Sequence, residues 1–383
     1  MTIGIAGAGL LGRLIAWQLG RHGQQVHVFD AAPGPEPAYD GHGAAAFSSA
    51  GMLSPLAELD RMEPALAAMG WRSIQLWEDI AAALPGDAAL TGVFANGCLA
   101  RRGSLLLAHR GDQGAAQRLL SRASHAASAW PQPEPLDAES IALLEPALAW
   151  SGPAWRLAGE AQIHPAATLR LLFSSASSSV HWHWGQPIQA VLPGRLIGPS
   201  AAPRQFDMTI DVRGLGARSG AESTGTKTDL AQLRGVRGEA VWLRAKQHGL
   251  TRPVRLLHPR HQVYLVPHSL DRLLVGATEI ETEDRSEVSV RSALELLGAA
   301  YSVMPALAEA RIERLDRNLR PALPDNAPSV AVAPGLIRIN GLFRHGWLLA
   351  PALVETALQD AGLPALSIRT MPAPTAPPEI SHA

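Results

Sequence analysis

The residues near the amino terminus with the clearest chemical purpose are Gly7, Gly9, Gly12 and Asp30. A short apolar strand, Ile3-Gly4-Ile5-Ala6, runs into Gly7-Ala8-Gly9-Leu10-Leu11-Gly12. A helical pattern follows from Arg13 to Gly20, and a second strand, Val26-His27-Val28-Phe29, ends on Asp30. Such a unit binds a dinucleotide: the first glycine permits a tight turn, the second admits a pyrophosphate to the backbone, and the third lets helix and strand pack closely. The free N–H groups and positive end of the helix hold the phosphates, and the acid accepts from ribose hydroxyls. The motif leaves NAD and FAD both open.

Other stretches carry weaker chemical signals. Ala44-Ala45-Ala46-Phe47-Ser48-Ser49-Ala50-Gly51-Met52-Leu53 is almost free of bulk until its end, which suits backbone approaching a flat ligand or a small-residue segment packed on a neighbour. His181-Trp182-His183-Trp184 alternates, so its two histidines share one face of a strand. They could ligate a metal, but with no third ligand nearby a half-exposed strand is the preferred reading. Asp211-Val212-Arg213-Gly214-Leu215-Gly216-Ala217 is a second strand end followed by small residues. Gly341-Leu342-Phe343-Arg344-His345-Gly346 turns from a strand into a helix.

These residues need a scaffold, and composition bounds it. The chain has 383 residues, 47% hydrophobic and 17% charged, which fits two globular domains. A net charge of -1, with basic residues scattered, argues against nucleic acid or an anionic membrane as partner. Apolar runs are too short or interrupted to span a bilayer. The apolar amino terminus lacks a basic leader region, and its glycines belong to the nucleotide turn. Cys98 is the one cysteine, so no internal disulfide or multi-cysteine metal site forms; a reducing, cytoplasmic setting is the default.

Periodicity places helices over Pro64 to Leu84, Gln113 to Ala129, Pro165 to Phe173, Val288 to Met304 and Trp347 to Ala361. Strands are expected at Phe206 to Val212, Val236 to Leu243, Gln262 to Val266, Arg272 to Ala277 and Leu336 to Asn340. The proline-rich end from Met371 reads as a flexible tail. The order implies a nucleotide domain assembled from distant segments, with an antiparallel substrate domain inserted between them.

Six motifs in order resemble a known family: Gly7 to Gly12, Ser48 to Leu53, Val263-Tyr264-Leu265-Val266-Pro267, Val275-Gly276-Ala277-Thr278-Glu279, Leu319-Arg320-Pro321 and Phe343-Arg344-His345-Gly346. From Thr2 to about Gly362 the chain is similar to the glycine oxidase branch of the D-amino acid oxidase family, and most similar to the glycine oxidases of bacterial thiamine biosynthesis. The resemblance implies an α/β fold, with an FAD-binding Rossmann-like domain and an inserted antiparallel-sheet substrate domain (D-amino acid oxidase, or glutathione reductase type 2, fold). Residues 1-57, 158-224 and 312-367 would form the FAD domain, 58-157 and 225-311 the substrate domain, and 368-383 the tail.

The resemblance also implies non-covalent FAD. Gly7, Gly9, Leu10, Leu11 and Gly12 would lie by the pyrophosphate, and Asp30 with Ala31 by the adenosine ribose. Ala50, Gly51 and Met52 would pass the flavin ring, and the backbone of Ile188 would meet the adenine. Leu342, Phe343, Arg344, His345, Gly346, Trp347 and Leu348 would wrap the flavin's pyrimidine edge. Arg320 matches the arginine that clamps the substrate carboxylate, and Tyr264 the tyrosine beside it. Glu279 replaces a commonly apolar pocket residue; it would contact a substrate amine or point to solvent.

The implied reaction is oxidation of glycine by oxygen, giving an imine or glyoxylate, ammonia and hydrogen peroxide. The imine would be passed on for thiazole synthesis, with thiazole synthase a candidate partner and homo-oligomerisation left open. Rival readings are oxidation or dehydrogenation of sarcosine, proline or D-amino acids, an NAD-dependent dehydrogenase, and a non-catalytic FAD protein. Cysteine-linked flavin is disfavoured, because relatives that use it attach it in the carboxy-terminal half, whereas Cys98 is early in the chain.

Overall fold

The computed structural model describes residues 1–126, 130–199, 202–218, 229–257 and 262–366. The Thr2–Ala6 strand is buried beyond its first residue, because helices and loops cover both faces of its sheet. It pairs in parallel with Gln25–Phe29 on one side and Met208–Asp211 on the other. The full order is Ser329–Ala333, Leu336–Asn340, Met208–Asp211, Thr2–Ala6, Gln25–Phe29, Val180–His183. Only the outer Ser329–Ala333 strand runs antiparallel. Ala6 is in register with both Phe29 and Asp211, so three strands end side by side. The chain leaves Thr2–Ala6 toward one edge and returns to its other side only after residue 200. That makes a switch point, where open parallel sheets bind ligands at their carboxyl ends.

The Leu10–Arg21 helix follows the first strand and is buried from Leu10 to Gly20. Its cover is the Gly346–Asp360 helix, which also packs on Pro64–Ala83. The second body is an eight-stranded sheet in the order Arg311–Ala322, Arg234–Arg244, Arg272–Gly276, Gln262–Pro267, Val254–Leu257, Ser104–Ala108, Ala154–Leu157, Glu134–Leu136. It is antiparallel except where Val254–Leu257 meets Ser104–Ala108. The Val290–Val303 helix packs on the Arg234–Arg244, Gln262–Pro267 and Arg272–Gly276 strands and shares a core with them through Leu296, Ala300 and Val303.

Several expectations need adjustment. The segment boundary at residue 312 cuts across a strand: Arg311–Ala322 pairs along its length with Arg234–Arg244 and belongs to the eight-stranded sheet. Alternating polarity identifies a strand without saying which sheet receives it. The helix expected to reach Ala129 ends at His125, and residues 127–129 lie outside the described ones. The boundary at 224/225 and the tail from 368 also lie outside them. The parallel Ser104–Ala108 strand has no counterpart in the sequence reading, since a five-residue apolar run gives no period to read.

The tightest backbone approach in the first unit is at Gly12. A Cβ there would stand 1.8 Å from the Gly7 carbonyl oxygen. Because that obstacle is backbone inside a buried turn, Gly12→Ala is expected to lower stability by about 3 kcal/mol or more. An unfolding free energy from denaturant titration within a few tenths of a kcal/mol of the parent would contradict the packing described.

Candidate functional site

One continuous cavity of about 1260 Å³ runs from the Gly7–Leu11 turn to Arg320 and Glu279. At its nucleotide end, Gly7 takes φ +104°, with the Val212 carbonyl oxygen only 2.6 Å from where a Cβ would stand, so both conformation and space require glycine. Gly9 has an ordinary φ of -73°, and its missing Cβ would meet only Ala44 at 3.7 Å. Its role is therefore to leave room for a ligand rather than to permit a strained backbone. Gly12 does not line the cavity; it packs against the Gly7 carbonyl. The Leu10–Arg21 helix starts at Gly9 with no side-chain cap and no acid in its first turn. Its amino-terminal N–H groups therefore face the cavity in search of an acceptor, which fits a pyrophosphate.

Asp30 is drawn onto its own turn: Oδ2 accepts from the Ala8 N–H (2.6 Å) and Oδ1 from the Ala32 N–H (2.8 Å). Each oxygen keeps lone-pair capacity for a ribose hydroxyl. Ala31 and Ile188 line the same end. The Ile188 carbonyl already accepts from Arg213 Nη1 (2.7 Å), and Arg213 is held by both oxygens of Asp211. Arg13 escaped the sequence reading. It is buried, and it donates to the carbonyls of Ala8, Leu169 and Pro35, fixing the glycine turn to the Pro/Gly loop. Burial lowers its pKa to about 10, against the pull of Asp30 and Glu36. Nothing in a helical pattern marks an arginine as serving carbonyls in three segments.

Ala50, Gly51 and Met52 line the middle of the cavity. Gly51 takes φ +75°, and a Cβ would fall 2.0 Å from the Ile163 carbonyl oxygen. Across from them lie Leu342, Phe343, Arg344, His345, Gly346, Trp347 and Leu348. Trp347 is pinned on two sides: its Nε1 donates to Ala46, and its carbonyl accepts from Trp77 Nε1. The two histidines considered for a metal, His181 and His183, sit beside His27 on the sheet edge. Among the described residues, no group of three or more His, Cys, Asp or Glu is placed to hold a metal. Cys98 is buried, and burial raises its thiol pKa.

At the far end, Arg320 and Tyr264 project from the eight-stranded sheet into the cavity. Each lies over a glycine on a neighbouring strand. A Cβ on Gly238 would be 2.3 Å from Arg320 Nη2, and one on Gly276 would be 2.7 Å from the Tyr264 ring. Isolated glycines inside strands mark such approaches, and this was the signal available in the sequence. Arg320 donates to the carbonyls of Thr278 (3.0 Å) and Arg237 (3.4 Å). Burial pushes its pKa down, against the stabilising influence of Tyr264 and Glu279.

Four guanidiniums gather here: Arg61, Arg255, Arg320 and Arg344. Glu58 takes Arg255, Arg344 (2.7 Å) and His345 (3.0 Å). Burial alone would raise the Glu58 pKa, but Arg255 and Arg344 hold it well below the ordinary carboxylate value. Glu279 pairs with Arg344 (3.2 Å) and Arg61 (3.5 Å). Among the described residues, Arg320 is the member of this group with no carboxylate within ion-pair distance. Glu58 and Arg255 were not singled out from sequence; they are 197 residues apart, and only the fold joins them.

Glu58 is aimed by a second acid. Glu160 is completely buried and accepts from the N–H groups of Leu56 and Ala57, with Ser104 on its other oxygen. Burial raises its pKa to about 7, despite Ser104 and the Ala57 N–H. The folded state therefore keeps a proton that the unfolded chain releases near pH 4.5. Glu160's contribution to stability is present below that pH and is lost as pH rises toward 7. Relative to Glu160→Gln, the parent should lose about 3 kcal/mol between pH 4.5 and 7 in denaturant titrations. A difference independent of pH would contradict a protonated Glu160.

Comparison with known proteins agrees with this geometry. The model of the FAD dependent oxidoreductase family (DAO) matches residues 2–357. Over 354 residues the chain is 37% identical to the thiamine biosynthesis oxidoreductase ThiO of Rhizobium etli, covering 92% of this chain and 94% of that one. It is 36% identical over 104 residues to the bifunctional protein ThiO/ThiG of Synechocystis, covering 26% of this chain and 16% of that one. The glycine oxidase of Geobacillus kaustophilus shares the fold, with a TM-score of 0.77 at 22% identity over 97% of this chain and 99% of that one. No helix among the described residues is long and apolar enough to cross a membrane. With a dinucleotide cradle at one end of its cavity and a cluster of arginines at the other, the chain belongs to the FAD dependent oxidoreductase family and is an FAD-dependent enzyme.

Proposed function

We propose that this enzyme is a cytoplasmic amino-acid oxidase whose substrate is glycine, and that its product supplies thiamine thiazole synthesis. The observation that carries the reading is the charge state of the cavity's far end. Arg61, Arg255 and Arg344 have carboxylate partners, whereas among the described residues Arg320 has only carbonyls. A half-buried guanidinium that faces a cavity without a carboxylate is a site for one, and its planar fork meets both oxygens of a substrate carboxylate. The names of the relatives supply the choice of glycine and the link to thiamine. The ThiO/ThiG protein supports association with a thiazole synthase.

FAD would extend along the cavity. Its pyrophosphate would rest on the uncapped helix at Gly9, Leu10 and Leu11, its ribose on Asp30, and its ring between Met52 and the Leu342–Leu348 segment. When bound, the flavin supplies the two-electron oxidation and transfers the electrons to oxygen. The protein's own part is positioning. Arg320 holds the carboxylate, and Tyr264 walls the alpha carbon on the side of the eight-stranded sheet. The amine enters as the free base, so that its lone pair assists as the C–H bond breaks. No side chain is required as an acid or base. Glycine, oxygen and water give glyoxylate, ammonia and hydrogen peroxide, or the imine leaves before water adds.

Arg320→Ala is expected to retain flavin and lose most activity toward glycine. Removing a bidentate charged pair costs roughly 3–5 kcal/mol, or about 10²–10⁴-fold in kcat/KM. Arg320→Lys should recover only part, since an ammonium lacks the fork. Activity within a few-fold of the parent, at full flavin content, would place the substrate carboxylate elsewhere.

A further inference from the structure

Glu279 is the negative charge nearest the open side of the arginine group. Its two oxygens are shared between Arg344, whose side chain is 14% exposed, and Arg61, whose side chain is 49% exposed. Arg344 is drawn back on its other side by the buried Glu58. The result is an alternating chain: Arg255, Glu58, Arg344, Glu279, Arg61 and Asp60, the last pair at 3.8 Å. Its three cations face three carboxylates, and it ends at the half-exposed Arg61.

A ligand whose first carboxylate sits on Arg320 faces this chain with whatever else it carries. A neutral remainder meets a wall whose charges are already compensated. A second carboxylate meets Glu279, and it could reach Arg344 or Arg61 only by displacing that side chain. Like charges brought together in a partly enclosed cavity repel and disfavour such a ligand.

We propose that Glu279 is a specificity-determining residue: clamped between Arg344 and Arg61 in the wall of the cavity that holds Arg320, its carboxylate restricts the enzyme to substrates with a single carboxylate. This rests on the reading that Arg320 receives the substrate carboxylate. Each Glu279 oxygen serves one arginine and keeps acceptor capacity besides, as at Asp30. Glu279 acts by occupying Arg344 and Arg61 rather than by touching the reacting atoms.

The test uses the FAD-loaded enzyme and follows the visible absorption of the bound flavin during titration with glycolate, which has one carboxylate, and succinate, which has two. The parent should bind glycolate at least tenfold more tightly than succinate. Glu279→Gln keeps the shape and removes the charge, and should shrink that ratio at least tenfold. Arg61→Ala provides an independent arm of opposite sign: with one compensating cation gone, Glu279 repels more strongly and the ratio should grow. A parent that binds both ligands equally, or a ratio unmoved in both variants, overturns the inference. Glycolate binding in Arg320→Ala separates the two levels. If that variant loses glycolate while the ratio ignores Glu279, only the specificity role fails; if it binds glycolate like the parent, the carboxylate reading fails and takes this inference with it.

Discussion

The far end of the cavity depends on one buried carboxylate. Glu58 joins Arg255, from the eight-stranded sheet, to Arg344 and His345, from the turn that begins the last helix. Burying such charges is costly unless each is paired, and breaking one partner leaves an uncompensated charge worth about 3–5 kcal/mol. Glu58 therefore fixes how the substrate sheet meets the nucleotide body at that point. Glu160 reaches the same place by another route, gripping the two backbone N–H groups immediately before Glu58. The consequence for chemistry is subtractive. Because Glu58 and Glu279 satisfy their arginines, the guanidinium left for a ligand is the one lying over Gly238.

The two ends of the cavity use different physics. At the nucleotide end the binding groups are backbone, exposed by an uncapped helix and by the absence of a side chain at Gly9. At the substrate end the group left for a ligand is a long cation on a strand, Arg320, with Gly238 making room beneath it. A flat cofactor between the two needs close approach on one side and a charged anchor on the other. The sheet switch point and the Arg234–Arg244 and Arg311–Ala322 pair provide these at a shared opening.

What could be read from the sequence follows from this division. The glycine fingerprint is local, so its strand, turn, helix and acid appear in order within 30 residues, and the structure places them as read. The Gly341–Gly346 turn and the Ser48–Leu53 stretch were legible for the same reason. Pairings across distance were not. No pattern links Glu58 to Arg255, and no period assigns Arg311–Ala322 to one sheet rather than the other. Gly238 and Gly276 were visible as glycines inside strands, but what they make room for depends on register. Asp30 stood out by its position at a strand end, yet its grip on Ala8 and Ala32 depends on how a short side chain folds back, which only the fold reveals.

The most direct test of the central claim is a crystal structure of the FAD-loaded enzyme with glycolate bound. The account predicts the glycolate carboxylate within hydrogen-bond distance of the Arg320 guanidinium, with Glu58 still holding Arg255 and Arg344. A carboxylate seated on Arg344 with Glu58 or Glu279 displaced, and Arg320 still bonded only to the carbonyls of Thr278 and Arg237, would contradict it.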